Sequence, residues 1–227
     1  MHRFERWLPV SGLLAVVSLA LTGLISPPPP IAGAPPAEIV LYYAHHHTGL
    51  EAESVADCIG ALLVVVFAAT FHARIRSIPS LVGFIGAAIF AACTLVQVAA
   101  FQALAYRQNP DPARAALLND LQVFSFQVTT FPALLFLAAA CLAILRSGVM
   151  PRWLGLAAAA AAGLQAVSWV SFFAAPGGLA AGAYPDIVAF AAMLGWIVAC
   201  SISMVAAVPH LPTTPAPDLP GKRGGVL

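Results

Sequence analysis

The chain has 227 residues, 61% of them hydrophobic and only 8% charged, with a formal net charge of +1 and a mean hydropathy of +0.91. Soluble domains carry about 25% charged residues; a chain this apolar could not hide its surface from water, so its solvent is a bilayer. The near-neutral charge argues against nucleic acid as a partner, because that binding needs a basic face.

A spanning helix takes about 20 mostly apolar residues, and the runs that meet this need predict an all-α bundle of six spans over residues 1–208. The first run is 8–25, behind MHRFERW. A cleaved signal peptide ending near Ala32-Gly33-Ala34 is the rival reading. However, the run has 18 residues, longer than the usual ~7–15 of a signal core. Pro35 also sits poorly after a cleaved bond, so the first span is expected to stay. Pro27 to Pro30 close it.

Residues 26–54 then form a Pro-rich loop on the outer side, with the segment YYAHHHT at Tyr42–Thr48. Three adjacent histidines, His45, His46 and His47, with Glu51 or Glu53 nearby, raise the question of a metal. Consecutive helical residues point about 100° apart, and strand residues alternate faces. The helical His pair at i, i+4 that commonly holds zinc is absent. No metal and no cofactor are expected, with His45, His46, His47 and Glu51 as the residues to watch. The segment fits an interfacial stretch of tyrosine and histidine at headgroup depth, with imidazoles that ordinarily titrate near neutral pH.

The second span is 55–72 and the third 81–106, separated by a short link containing Pro79. Asn109-Pro110-Asp111-Pro112 precedes the fourth, 121–145. Ser147-Gly148 and Pro151 precede the fifth, 153–174, and Pro176-Gly177-Gly178 and Pro185 precede the sixth, 187–208. Glycine and proline at these places stop helices and start new ones. The tail 209–227 carries five prolines and no apolar run, and is expected to be disordered.

Lysine and arginine set the orientation. Arg3, Arg6, Arg74, Arg76, Arg146, Arg152, Lys222 and Arg223 fall on one side, and only Arg107 and Arg114 on the other. Both termini are therefore expected in the cytoplasm, which makes the protein multi-pass in the cell membrane. An arginine excess over lysine and abundant alanine suggest a GC-rich bacterial source. Cys58, Cys93, Cys141 and Cys200 lie in four different runs without paired spacing, as expected of small reduced core residues.

Without a hydrophobic push between helices, close backbone contact matters in a membrane. Small residues recur every fourth position at Gly83, Ala87, Ala91, at Gly155, Ala159, Gly163, and at Gly195, Ala199, Ser203, Ala207. These ladders predict helix–helix seams. Pro132 inside the fourth span removes one donor and predicts a kink, with Thr129 and Thr130 placed to bond freed carbonyls.

The turn RSGVMPRWLG, Arg146–Gly155, resembles one found before the fifth span in a family of bacterial six-span membrane proteins defined as a domain of unknown function. The likeness would cover roughly residues 5–208, and implies a helical bundle without assigning any site residue. The turn also has a plain physical cause. Gly148 suits a left-handed helix end, Pro151 a helix start, and Arg146, Arg152 and Trp153 an interface.

Asp57, Asp120 and Asp186 stand near the outer starts of the second, fourth and sixth spans. Helix capping explains them; an acidic vestibule is the functional alternative. The glutamines say more. Gln97 and Gln102 on the third span and Gln122 and Gln127 on the fourth share one depth in the outer half, with Gln165 and Ser168 near that level. Polar groups at such depth turn inward. They outline a pocket with Phe101, Phe126, Phe131 and Trp169 as walls, or else act as hydrogen-bonding glue between helices. No ionisable residue is expected near the middle of any span, and no catalytic motif appears. The expected role is therefore non-enzymatic: a small-ligand or lipid binding, sensing or scaffold module. Its partners would be membrane lipid and a small hydrophobic or neutral ligand. A small-solute transporter or channel is the alternative, and a metal-dependent membrane enzyme a weaker one.

Overall fold

The computed structural model describes residues 7–106, 111–173 and 184–206. The tail 209–227, Ala207, and the ends of the fifth and sixth expected spans at 174 and 207–208 lie outside the described residues. Everything described is helix or short connection, with no strand among the described residues. The elements are α1 (Val10–Ile25), α2 (Pro36–Ile75), α3 (Ile78–Ala105), α4 (Pro112–Val128), α5 (Thr130–Ser147), α6 (Arg152–Ser168) and α7 (Tyr184–Ala206), with a 3-10 turn Trp169–Phe172 after α6. Four rods are long and apolar enough to cross a membrane: α2, α3, α4 with α5 as one unit, and α7. The apolar α1 is shorter, with 16 residues.

The largest departure from expectation is α2. Residues 36–54 were expected in a loop, yet they are the first half of a 40-residue helix. Hydropathy alone hides this half, because Glu38, the histidines, Glu51 and Glu53 dilute its apolar residues. Its buried positions Ile39, Tyr43, Leu50 and Ser54 nevertheless fall on one helical face. Pro36 starts the helix at the position where a missing N–H costs nothing. At about 1.5 Å per residue the rod is roughly 60 Å long, about twice the ~30 Å of a hydrocarbon core. Exposed Val55, Ile59, Leu62 and Val66 mark its apolar stripe, so the half before Val55 projects past that belt.

The turns are chemically specific. Arg76 takes a left-handed conformation (φ 49°) to end α2, and its N–H bonds His72 O at 2.8 Å. Ser77 and Ser80 then cap α3 reciprocally, and His72 Nδ1 lies 2.9 Å from Ser80 Oγ. Gly148 ends α5 at φ 64°, as the turn motif requires, and Pro151 starts α6. The break between α4 and α5 falls at Thr129, one turn before Pro132. There Thr129 Oγ1 donates to Phe126 O (2.6 Å) and Thr130 Oγ1 to Gln127 O (2.7 Å), as a proline-disturbed helix demands.

The helices pack as a ring: α1 on α2, α2 on α3, α3 on α5, α5 on α6, α6 on α7, and α7 back on α1. Inside it, Trp196 meets Phe67, Phe71 and Phe136 edge to face at 5.4–6.2 Å, and its Nε1 donates to Leu154 O at 3.0 Å. A second apolar cluster, Ile39, Tyr43, Leu50, Phe101, Leu104, Ala105 and Ala115, joins α2, α3 and α4 in their projecting parts.

The small-residue ladders are only partly seams. In α6, Gly155 is buried against Leu145 and Ile144, but Ala159 and Gly163 are exposed. The buried face runs instead through Leu154, Ala158, Ala161, Ala162 and Gln165. In α7, Gly195 is exposed, and Met193, Ile197, Cys200, Ser201 and Met204 face inward. A repeat of four drifts around a helix of 3.6 residues per turn, so a long ladder cannot stay on one contact. In α3, Gly83, Ala87 and Ala91 are buried, but the tightest approach is at Gly86. A Cβ there would lie 2.9 Å from the Phe136 backbone N. Gly12 and Gly60 do the same for α1, against Phe67 and Ser201 and against Leu19.

Gly86→Ala should lower stability by about 1–3 kcal/mol through overpacking. Gly163→Ala, where a Cβ meets nothing within 4 Å, should be neutral or stabilise by up to about 1 kcal/mol through helix propensity. Thermal melts of the purified protein in detergent check the pair; equal effects would refute the assigned seam.

Candidate functional site

A cavity of about 460 Å³ lies where α1 ends, enclosed by α1, α2, α3, α4 and α7. Phe90 and Leu194 of the ring core and Phe101 of the second cluster line it, so it sits between the two apolar layers. A strap of four prolines, Pro27–Pro30, with Ile31 forms another wall. On its other side the strap borders a shallow groove with Glu38, Leu41, His45 and His46.

The strap is held by side chains beneath it. Proline carries a carbonyl but no N–H, so this segment can be tied only by donors from elsewhere. Tyr42 OH donates to Pro27 O at 2.6 Å. Asn119 Nδ2 donates to Pro30 O at 3.2 Å and to Ile31 O at 3.4 Å, while its Oδ1 accepts from Tyr43 OH at 3.4 Å. Just beyond, Gly33 N–H donates to Asp120 Oδ1 at 2.9 Å. Asn119 is fully buried.

Of the pocket residues expected from sequence, Gln97, Phe101, Gln122 and Phe126 line this cavity. The others lie elsewhere. Gln102 and Gln127 turn away from it, with Gln127 fully buried. Gln165 joins α6 to α7, its Nε2 donating to Ala189 O at 2.9 Å. Trp169 Nε1 donates to Thr130 Oγ1 at 3.0 Å, and its ring stacks on Phe131 at 4.4 Å. The glutamine layer thus divides: Gln165 is interhelical glue, whereas Gln97 and Gln122 face a space.

Two carboxylates were missed as wall residues. Glu53 and Asp57 line the cavity, one helical turn apart on α2, where i, i+4 side chains stand about 5–6 Å apart. Sequence reasoning took Asp57 for a helix start because α2 was expected to begin near it. With α2 starting at Pro36, Asp57 belongs to the helix interior and caps nothing. Asp120 is likewise inside α4, where Asp111 is the cap, accepting from Ala113 and Arg114 N–H at 2.9 and 3.1 Å. Asp186 is buried in the first turn of α7. A signal for the pair existed: Glu53 and Asp57 share the spacing of Ile39, Tyr43, Leu50 and Ala61, which all face inward.

Several polar atoms at the cavity lack partners. Gln122 is buried and its Oε1 bonds nothing; the same is true of Glu53 Oε2 and Ser26 Oγ. Ser26 stands near the Glu53 carboxylate without a well-formed hydrogen bond to it. Thr94 instead satisfies itself on Phe90 O at 3.0 Å. Among the described residues, no lysine, arginine or histidine lines the cavity.

The histidine segment is helical, so its rings diverge. His45 Nδ1 lies 2.8 Å from Leu41 O, His46 Nδ1 lies 2.8 Å from Tyr42 O, and His47 Nε2 contacts Thr48 Oγ1 at 3.2 Å. Glu51 is exposed. Among the described residues, no three His, Cys, Asp or Glu side chains gather to hold a metal.

Comparison with protein-family profiles, curated proteins and solved structures finds no match to the chain. The family resemblance of Arg146–Gly155 rests on its residues alone.

Gln165→Leu should cost about 0.6 kcal/mol, the average worth of such a bond between membrane helices. Gln122→Leu should be neutral or stabilising, since it removes a buried acceptor that bonds nothing. Asn119→Ala should cost about 1–3 kcal/mol, because it leaves the strap carbonyls without donors. Denaturation midpoints of the three variants check the order; a larger loss for Gln122→Leu than for Asn119→Ala would contradict it.

Proposed function

We propose that the chain is a multi-pass membrane protein of six spans whose cavity holds a small molecule, without catalysing a reaction on it. One observation carries the reading: a 460 Å³ space whose apolar walls contain the unbonded acceptors of Gln122 and Glu53. Ligand pockets have this build, a mostly apolar lining with a few placed polar groups, in the range of about 300–1,000 Å³. Buried polar atoms that bond nothing in a bare protein are costly and gain partners when a ligand enters.

The arginines support an outer position for this site. Arg74 and Arg76 flank the α2–α3 turn, and Arg146 and Arg152 the α5–α6 turn, at the end opposite the cavity. With that end cytoplasmic, the cavity opens near the outer edge of the apolar belt.

Transport is the second reading, and one observation favours it. Thr129, at the break between α4 and α5, lines the cavity, so bending there would change the wall. A static break is equally compatible with binding alone.

The binding reading predicts that at least one class in a panel of small amines, alcohols and carboxylic acids raises the melting temperature saturably. Thr94→Trp, which fills the cavity, should abolish the shift. No shift with any class, or a shift that survives Thr94→Trp, refutes it. Flux of the binding class in proteoliposomes would replace the pure binding module with a transporter. For topology, an impermeant maleimide applied to intact cells should label His46→Cys and not Ser147→Cys in a cysteine-free background.

A further inference from the structure

Resting on the small-ligand reading of the cavity, we infer that its ligand is an organic cation, a protonated primary or secondary amine on an apolar body. Charge comes first. Glu53 and Asp57 both line the space, and among the described residues no basic side chain lines it with them. An anion would be repelled by this acidic pair, and a neutral guest would offer it no counter-charge. A cation supplies one, and the low polarity around it strengthens the attraction.

Hydrogen bonding narrows the class. Gln122 Oε1 is an acceptor with no donor in the protein, Gln122 is 6% exposed, and the Glu53 carboxylate has only the Ser26 hydroxyl beside it. They ask for N–H groups. A quaternary ammonium has none, whereas a protonated primary or secondary amine carries two or three.

Size and walls exclude a bare metal ion as the occupant. A single water fills about 30 Å³, so a space of 460 Å³ is far too large for one ion. Phe90, Phe101, Phe126 and Phe190 stand among its apolar wall residues. Aromatic faces attract ammonium groups and cover an apolar body. Polar and apolar walls together describe a molecule with a charged head and a hydrocarbon remainder. That chemistry has two sources, a free amine or the headgroup of an aminophospholipid.

The test uses the full chain in detergent, with 2-phenylethylammonium as probe and 2-phenylethanol, tetraethylammonium and calcium chloride as comparisons, read by calorimetry. The amine should bind at least about tenfold more tightly than the alcohol or tetraethylammonium, and calcium should not compete. Glu53→Gln and Asp57→Asn, which keep shape and remove charge, should each weaken the amine at least about tenfold and leave the alcohol unchanged. The unchanged alcohol also shows that the variants are folded.

Equal binding of amine and alcohol overturns the inference, as does tetraethylammonium binding as well as the amine, or full amine affinity in both carboxylate variants. Alcohol binding as tight as that of the amine, and lost in Thr94→Trp, would overturn the amine alone and leave the small-ligand reading standing. No binding by any probe overturns both. Nanodiscs separate the sources. Stabilisation by phosphatidylethanolamine over phosphatidylglycerol, lost in Glu53→Gln, assigns the amine to a headgroup; amine binding without it assigns a free solute.

Discussion

Four consecutive prolines cannot donate a hydrogen bond, and the site depends on that fact. The strap Pro27–Pro30 has carbonyls to satisfy and no N–H groups with which to join a neighbour. Tyr42 and Asn119 supply the donors, one from α2 and one from α4. Asn119 also accepts from Tyr43, so one buried amide links the strap, α2 and α4. Without these ties the end of α1 would have no fixed path to Pro36, and the cavity would lose a wall.

The two apolar clusters have different work. The ring core around Trp196 is packed through edge-to-face aromatics and glycines that admit side chains or backbone at close range. In lipid such contact replaces the hydrophobic push of water. The second cluster joins only α2, α3 and α4, because only those rods continue past α1. The cavity lies at the step where α1 stops and the longer helices go on. A short helix beside long ones leaves a space, and the strap covers it without filling it.

Much of the architecture was legible in the chain. The all-helical class, the punctuation by proline and glycine, the break near Pro132 and the left-handed Gly148 all follow from local rules. The start of α2 did not. A hydropathy reading sees a polar stretch before Val55, and only the helical spacing of Ile39, Tyr43, Leu50 and Ser54 betrays a buried face. That one error carried over to the site, because it turned Asp57 from a wall residue into an apparent cap. The small-residue ladders of α6 and α7 left the contact face for a geometric reason, the drift of a four-residue period around the helix, whereas the shorter one in α3 stays buried.

By itself the sequence determined the solvent, the helical class and the end of the molecule that gathers arginine. Those properties depend on composition and on signals a few residues long. It also named Gln97 and Gln122 as inward-facing, since a polar amide among apolar neighbours has nowhere else to turn. Only the tertiary structure decided which amides found a partner. Gln165 meets Ala189 O across a helix contact, and Gln122 meets a cavity with its oxygen unbonded. The two look alike in sequence because hydrogen-bond satisfaction belongs to the space between helices and not to any one of them.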